Sequence, residues 1–149
     1  MKFRLNVRRE REEALTKELA RHGIGIDDSA DLILSEADAG LTHLPVRDTR
    51  GERLHIPADS ILFIESYGHD VDVHTTDGIY ASQDRIYQLE QRLDPKEFLR
   101  VSQSVIVSRR HVKKIRPSLS MKFVLTLSDG TLVDVTRSYY GAFKDFFGI

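Results

Sequence analysis

The sequence predicts an α+β fold, a predominantly antiparallel β domain with short helices preceded by a small N-terminal βαβ unit. After Gly40, apolar residues recur with a period of two in short runs. Turn chemistry separates those runs, as in Asp48-Thr49-Arg50-Gly51, Asp77-Gly78 and Ser128-Asp129-Gly130. Helical spacing is confined to three places: about residues 10 to 22, about 83 to 93, and the C-terminus.

Taken in order, Phe3, Leu5 and Val7 alternate with Arg4, Asn6 and Arg8, as a half-buried strand requires. The helix that follows sets Leu15 and Leu19 at i,i+4 and Glu13 opposite Lys17, with Gly23 to stop it. Ala30 to Ser35 reads as the next strand, which completes a βαβ unit over residues 1–40. In the remainder, 41–149, strands are expected at Leu44 to Arg47, Arg53 to Ile56, Ile61 to Glu65, Val71 to Thr75 and Ile79 to Ser82. A helix over about 83 to 93 carries Ile86, Leu89 and Leu93 on one stripe, with Ser82 as its N-cap and Asp94-Pro95 after it. Strands then recur at Phe98 to Val101, Val105 to Val107, Met121 to Leu127 and Thr131 to Val135. Ser138 opens a terminal helix with Tyr139, Phe143 and Phe146 spaced for one face.

Composition narrows the function. With no cysteine among 149 residues, disulfides, thiolate zinc sites and cysteine nucleophiles are excluded. No apolar run approaches the roughly 20 residues of a membrane helix, so a cytoplasmic location and no membrane partner are expected. There is no glycine-rich nucleotide loop and no nucleophile elbow; no cofactor, no small-molecule substrate and no catalysed reaction are expected. Asp70, Asp72 and His74 have a spacing that could hold a divalent metal, but the solvent side of a strand with Val71 and Val73 inward gives the same pattern, and no metal is assigned.

The net charge of -1 hides an asymmetry. Residues 51 to 99 carry 4 cations against 10 carboxylates, whereas residues 100 to 149 carry 9 against 3. Between Arg100 and Lys122 lie seven cations and no carboxylate, interleaved with Ser102, Gln103, Ser104 and Ser108. Cations and small hydroxyls suit phosphates, while glutamine and arginine can form bidentate pairs with adenine and guanine. The same face could also meet an acidic protein, and a protein-interaction module is the alternative reading.

These residues carry a resemblance. Ile56-Pro57, the run Asp59-Ser-Ile-Leu-Phe-Ile-Glu65, Leu93-Asp-Pro95, Phe98-Leu-Arg-Val101, Ser104-Val-Ile-Val107, Val112-Lys-Lys-Ile115 and Asp134-Val-Thr-Arg-Ser-Tyr-Tyr140 occur in one order with matching spacings. From about Leu44 to Ile149 the chain resembles the LytTR DNA-binding domain, the output domain of LytR, AgrA and AlgR-type transcriptional regulators. The resemblance implies sequence-specific binding of double-stranded DNA with loops entering successive major grooves, and so small a footprint suits a homodimer on promoter repeats. It implies base reading by His69, Gln103 and Arg137, and nearby phosphate contacts by Ser102, Ser104, Arg109, Arg110 and Lys113. Many members carry His and Arg or Asn where this chain has Ser102 and Gln103, and Asn where it has Ser108, which bears on the DNA sequence preferred.

Relatives often carry a receiver domain ahead of this one, which needs about 120 residues and an acidic pocket after its first strand. Here about 40 residues precede the resemblance and the first strand runs into Arg8-Arg9, so a stand-alone regulator is expected. A βαβ piece that small buries little core of its own, and dimerisation is its expected task.

Overall fold

Side-chain alternation becomes sheet layering in the computed structural model, which describes residues 1–7, 9–35 and 41–149. Near the N-terminus, β1 (Lys2–Asn6) is flanked by β2 (Gly25–Ile26) and β3 (Ile33–Ser35), both parallel to it. Helix α1 (Arg9–Arg21) makes the crossover from β1 to β2 and ends where Gly23 takes φ +76°, a left-handed conformation that costs glycine least. The expected Glu13–Lys17 pair forms at 3.2 Å. The two-residue β2 was not anticipated, and the next strand begins at Ile33, later than Ala30. None of the described α1 side chains is buried; even Leu15 and Leu19 remain half-exposed.

The second sheet has seven strands: β4 (His43–Arg47), β5 (Arg53–Pro57), β6 (Ile61–Tyr67), β7 (Asp70–Thr75), β8 (Ile79–Ser82), β9 (Phe98–Arg100) and β10 (Val105–Ser108). Their spatial order is β5-β4-β8-β7-β6-β10-β9, with every neighbouring pair antiparallel. The third sheet is the antiparallel set β11 (Val112–Ser118), β12 (Lys122–Leu127) and β13 (Leu132–Val135). Helix α2 (Ile86–Arg92) follows β8, and α3 (Tyr140–Phe147) ends the chain. The predicted α+β class, mostly antiparallel, is the observed one.

The central sheet is buried on both faces. Ile61, Leu62, Phe63 and Ile64 are consecutive and all buried, which only a strand covered on both sides permits. Ile64, Ile106, Val71 and Val73 face one core with Leu44 and the α2 residues Ile86 and Leu89. Phe63, Val105 and Val107 face the other with Phe123, Leu125, Val133, Val135 and Phe143. The apolar stripe of α2 is as expected, but its N-cap is not Ser82. That hydroxyl accepts from the Asp84 N–H at 3.1 Å, and the N-cap is Arg85, three residues later, where Gln88 Oε1 accepts from the Arg85 N–H at 2.8 Å. At the C-terminus, Ser138 lies inside a 3₁₀ turn, Arg137–Tyr139, and α3 begins at Tyr140.

The N-terminal strands meet the larger sheet through Ile33, which packs on its core, and through polar groups. Arg4 donates to His55 Nε2 on β5 and Asn6 Oδ1 accepts from the Thr42 N–H, while Leu41, just ahead of β4, donates from its N–H to Arg92 O on α2 at 3.0 Å. His55 must be neutral at Nε2 to accept, and its pKa is pushed down from the usual histidine range, first by burial and then by the Arg4 charge. A depressed folded-state pKa means that the unfolded chain takes the proton more readily. This contribution to stability is full above about pH 6.5 and is lost as pH falls through the lower folded value. The unfolding midpoint in urea should therefore drop between pH 7.5 and 5.5, and His55→Gln should flatten that dependence. An unchanged pH profile in the variant would show that this contact is not the titrating element.

Candidate nucleic-acid interface

Strand direction brings three segments to one end of the molecule. β6 runs toward the turn Gly68-His69, which links it to β7 with Tyr67 opposite Asp70. Gly68 has φ +57°, a conformation open to glycine in so short a connection. β10 is antiparallel to β6, with Val105 opposite Glu65, so the loop Ser102-Gln103-Ser104 that precedes it lies beside this turn, tied by Ser66 N–H to Ser104 O at 2.8 Å. The chain leaving β13 joins them through Thr136 N–H to Val101 O at 3.0 Å, which sets Arg137 next to the same loop.

Each of the three candidate reading residues is exposed. Arg85 donates to His69 Nδ1 at 2.9 Å. A guanidinium has no acceptor, so Nδ1 is the accepting nitrogen and Nε2 is the one left to donate. Gln103 is presented by a clasped backbone. Arg100 donates from Nε to Ser102 O at 3.1 Å and from Nη2 to Gln103 O, while Nη1 pairs with Glu90 at 3.3 Å. The Gln103 side-chain amide has no partner among the described residues, nor has the Arg137 guanidinium an ion pair. Ser102 Oγ accepts from the Ser104 N–H at 3.3 Å and lies 3.5 Å from Ser104 Oγ, which keeps the loop narrow. An open groove of about 370 Å³ runs between this loop and β13, lined by Glu65, Ser104, Leu132, Asp134 and Thr136 among others.

The cations that follow in sequence do not stay with this cluster. β10 leads away from it, and at about 3.3 Å per residue Arg109 lies roughly 16 Å from Ser104. There Arg109 sits over the rings of Phe146 and Phe147 at 5.2 and 5.8 Å, and Arg110 pairs with Asp59 at 3.7 Å. Lys113 is exposed at the start of β11, where the register with β12 shifts between Val112 and Lys114. Cations nearer Arg137 are Arg116 and Lys122, because β11 returns to the Arg137 end before the hairpin and β12 starts from there. The sequence places Arg100, Arg116 and Lys122 in the basic cluster without separating them from its other cations, and Arg85 gives no signal there. Strand pairing places Arg116 and Lys122, and side-chain hydrogen bonds give Arg85 and Arg100 their positioning roles.

The Asp70, Asp72 and His74 set is on one strand face, but His74 stacks on Phe63 with ring centroids 4.1 Å apart, and its Nε2 is buried without a hydrogen-bond partner. Among the described residues, no three His, Asp or Glu side chains are grouped so as to hold a metal. No described helix is long and apolar enough to cross a membrane.

The profile of the LytTr DNA-binding domain matches residues 51–148. The chain belongs to the LytTr DNA-binding domain family. It is 26% identical over 125 residues to the transcriptional regulatory protein LytR of Staphylococcus aureus, an alignment covering 83% of this chain and 50% of that one. It is 37% identical over 79 residues to the CO-responsive transcriptional regulator RcoM of Rhodospirillum rubrum, covering 52% and 34%. The chain thus spans about half the length of the LytR proteins it matches. Among solved structures, the LytTr DNA-binding domain of a putative methyl-accepting/DNA response regulator from Bacillus cereus superposes with a TM-score of 0.69 at 24% identity, covering 74% of this chain and 100% of that one. That likeness establishes a shared fold.

Proposed function

We propose that this chain is a sequence-specific double-stranded DNA-binding transcriptional regulator that reads the major groove with loops. One observation carries the reading: in a member of a DNA-binding family, three loops with exposed side chains, His69, Gln103 and Arg137, converge at one end of the sheet. The His69 Nε2–H can donate to a base acceptor, Gln103 can pair with adenine, and Arg137 can pair with guanine. Ser102 and Ser104 are close enough to the loop tip to serve adjacent phosphates. Arg109, Arg110 and Lys113 would anchor phosphates farther along the duplex, a role that requires Arg110 to leave Asp59.

Residues 1–40 form, on this reading, a small unit that pairs two chains across repeated half-sites, and residues 41–149 form the DNA-binding domain. The half-exposed α1 and the short β3 bury little within one chain, which supports a second copy as their partner. Deleting residues 1 to 38 should convert a dimer to a monomer in sedimentation, and an unchanged oligomeric state would remove the dimerisation role.

Gln103→Arg tests base reading. On duplexes selected by the protein from a random-sequence pool, the variant should shift preference from adenine toward guanine at one position, with the other positions unchanged. An identical selected sequence would take Gln103 out of the reading set.

A further inference from the structure

Pairing register extends the candidate interface beyond Arg137. Pro117, Phe123 and Val135 are level across β11, β12 and β13. One residue farther out come Ser118, Lys122 and Thr136; beyond them come the hairpin tip Leu119-Ser120-Met121 and Arg137. With strands about 4.8 Å apart, the tip is within roughly 10 Å of Arg137 and continues the row of loops on the side away from Gln103.

The tip is chemically unusual for a turn. Leu119 is 87% exposed and Met121 is 54% exposed. Ser120 and Met121 both have left-handed backbones, with φ of 64° and 57°, a conformation that glycine or asparagine adopts more readily. The hairpin strands carry Lys113, Lys114, Arg116 and Lys122 without one carboxylate from Val112 to Ser128. An acidic surface could satisfy the cations but not an apolar apex held out in water. A duplex offers both, phosphates for the strands and the base stack for the tip.

We propose that Leu119 and Met121 form an apolar wedge that enters the base stack of the bound duplex beside the Arg137 contact. This rests on the DNA-binding reading above. Leucine and methionine are among the side chains able to part a base step, and flanking cations hold the backbone while they do so. Arg116 and Lys122 supply those cations here.

The test uses the full chain and the duplex it selects from a random pool, with 2-aminopurine substituted at successive steps. In the wild-type complex one step next to the Arg137-dependent base should brighten as its stacking is lost. L119S/M121G should abolish that signal and weaken binding by about tenfold. Glycine suits the left-handed Met121 position and both side chains are exposed, so the variant keeps its fold. No brightened step, or equal brightening with the variant, overturns the wedge while leaving the reading loops intact. A tip that instead joins two copies would turn dimer to monomer in the variant with the fluorescence unaltered, and this too overturns it. Failure to select any preferred duplex would bring down the DNA-binding reading and the wedge with it.

Discussion

Arg137→Ala is expected to cut the discrimination between the selected duplex and a scrambled one by about one to two orders of magnitude. A bidentate arginine–guanine contact contributes about 1–3 kcal/mol of discrimination, roughly 5- to 150-fold in relative affinity. The residue is exposed and without an ion pair among the described residues, so the substitution has almost nothing to disturb in the fold. Binding to scrambled DNA should weaken only by the loss of one charge. Competition anisotropy with both duplexes measures the ratio directly, and thermal melting in parallel checks the fold. If the ratio in the variant equals that of the wild type, Arg137 is not a reading residue and the convergence of the three loops loses its functional meaning.

Phe143→Ala should produce the largest loss of stability. Phe143 is 0% exposed in α3 and packs against Phe123 at 5.1 Å and Phe147 at 4.7 Å between ring centroids. Removing a buried phenyl ring costs about 3–5 kcal/mol through lost transfer energy and the cavity left behind. Against a total of about 5–15 kcal/mol for an ordinary domain, that is a large fraction. The same ring clamps α3 over β12, and the 3₁₀ turn bearing Arg137 leads straight into that helix. Specific binding should therefore weaken along with stability. Urea denaturation measures the first effect; a shift below about 1 kcal/mol would mean that the site collapses around the gap and the α3 contact is not a major support.

The sequence made the strands of the central sheet legible because their apolar residues either alternate, as in Val71 and Val73, or form short continuous runs, as in Ile61 to Ile64, between connections that carry glycine and aspartate. It did not make β11 legible. Val112 and Ile115 are three residues apart, the wrong parity for one face of a regular strand, and Pro117 follows them. The register shift between Val112 and Lys114 restores the parity, but a bulge has no signature in a single sequence. Without β11, the hairpin tip and the proximity of Lys122 to Arg137 were hidden as well. Ser82 illustrates a different limit. A serine before a helical stripe can cap the helix or a turn, and here the Asp84 turn wins.

For the candidate site, the residues came from resemblance, and the geometry from pairing. Sequence contiguity suggested one basic patch from Arg100 to Lys122, but a strand of four residues is enough to carry Arg109 and Arg110 away from Gln103. Three-dimensional neighbours of the reading loops, such as Arg85 on His69 and Arg100 on the Gln103 loop, are 16 and 3 residues distant in the chain. Both are arginines in polar surroundings, with nothing in composition to separate a positioning role from a solvated one.

The central claim is that this end of the molecule binds DNA by sequence. The measurement that tests it most directly is the affinity of the wild-type chain for its selected duplex and for a scrambled one across salt concentrations. Binding to the selected duplex should be at least about a thousandfold tighter, with log affinity falling by about 3 or more per decade of salt, as release of counterions from several phosphates requires. Equal affinity for both duplexes, insensitive to salt, would contradict the account.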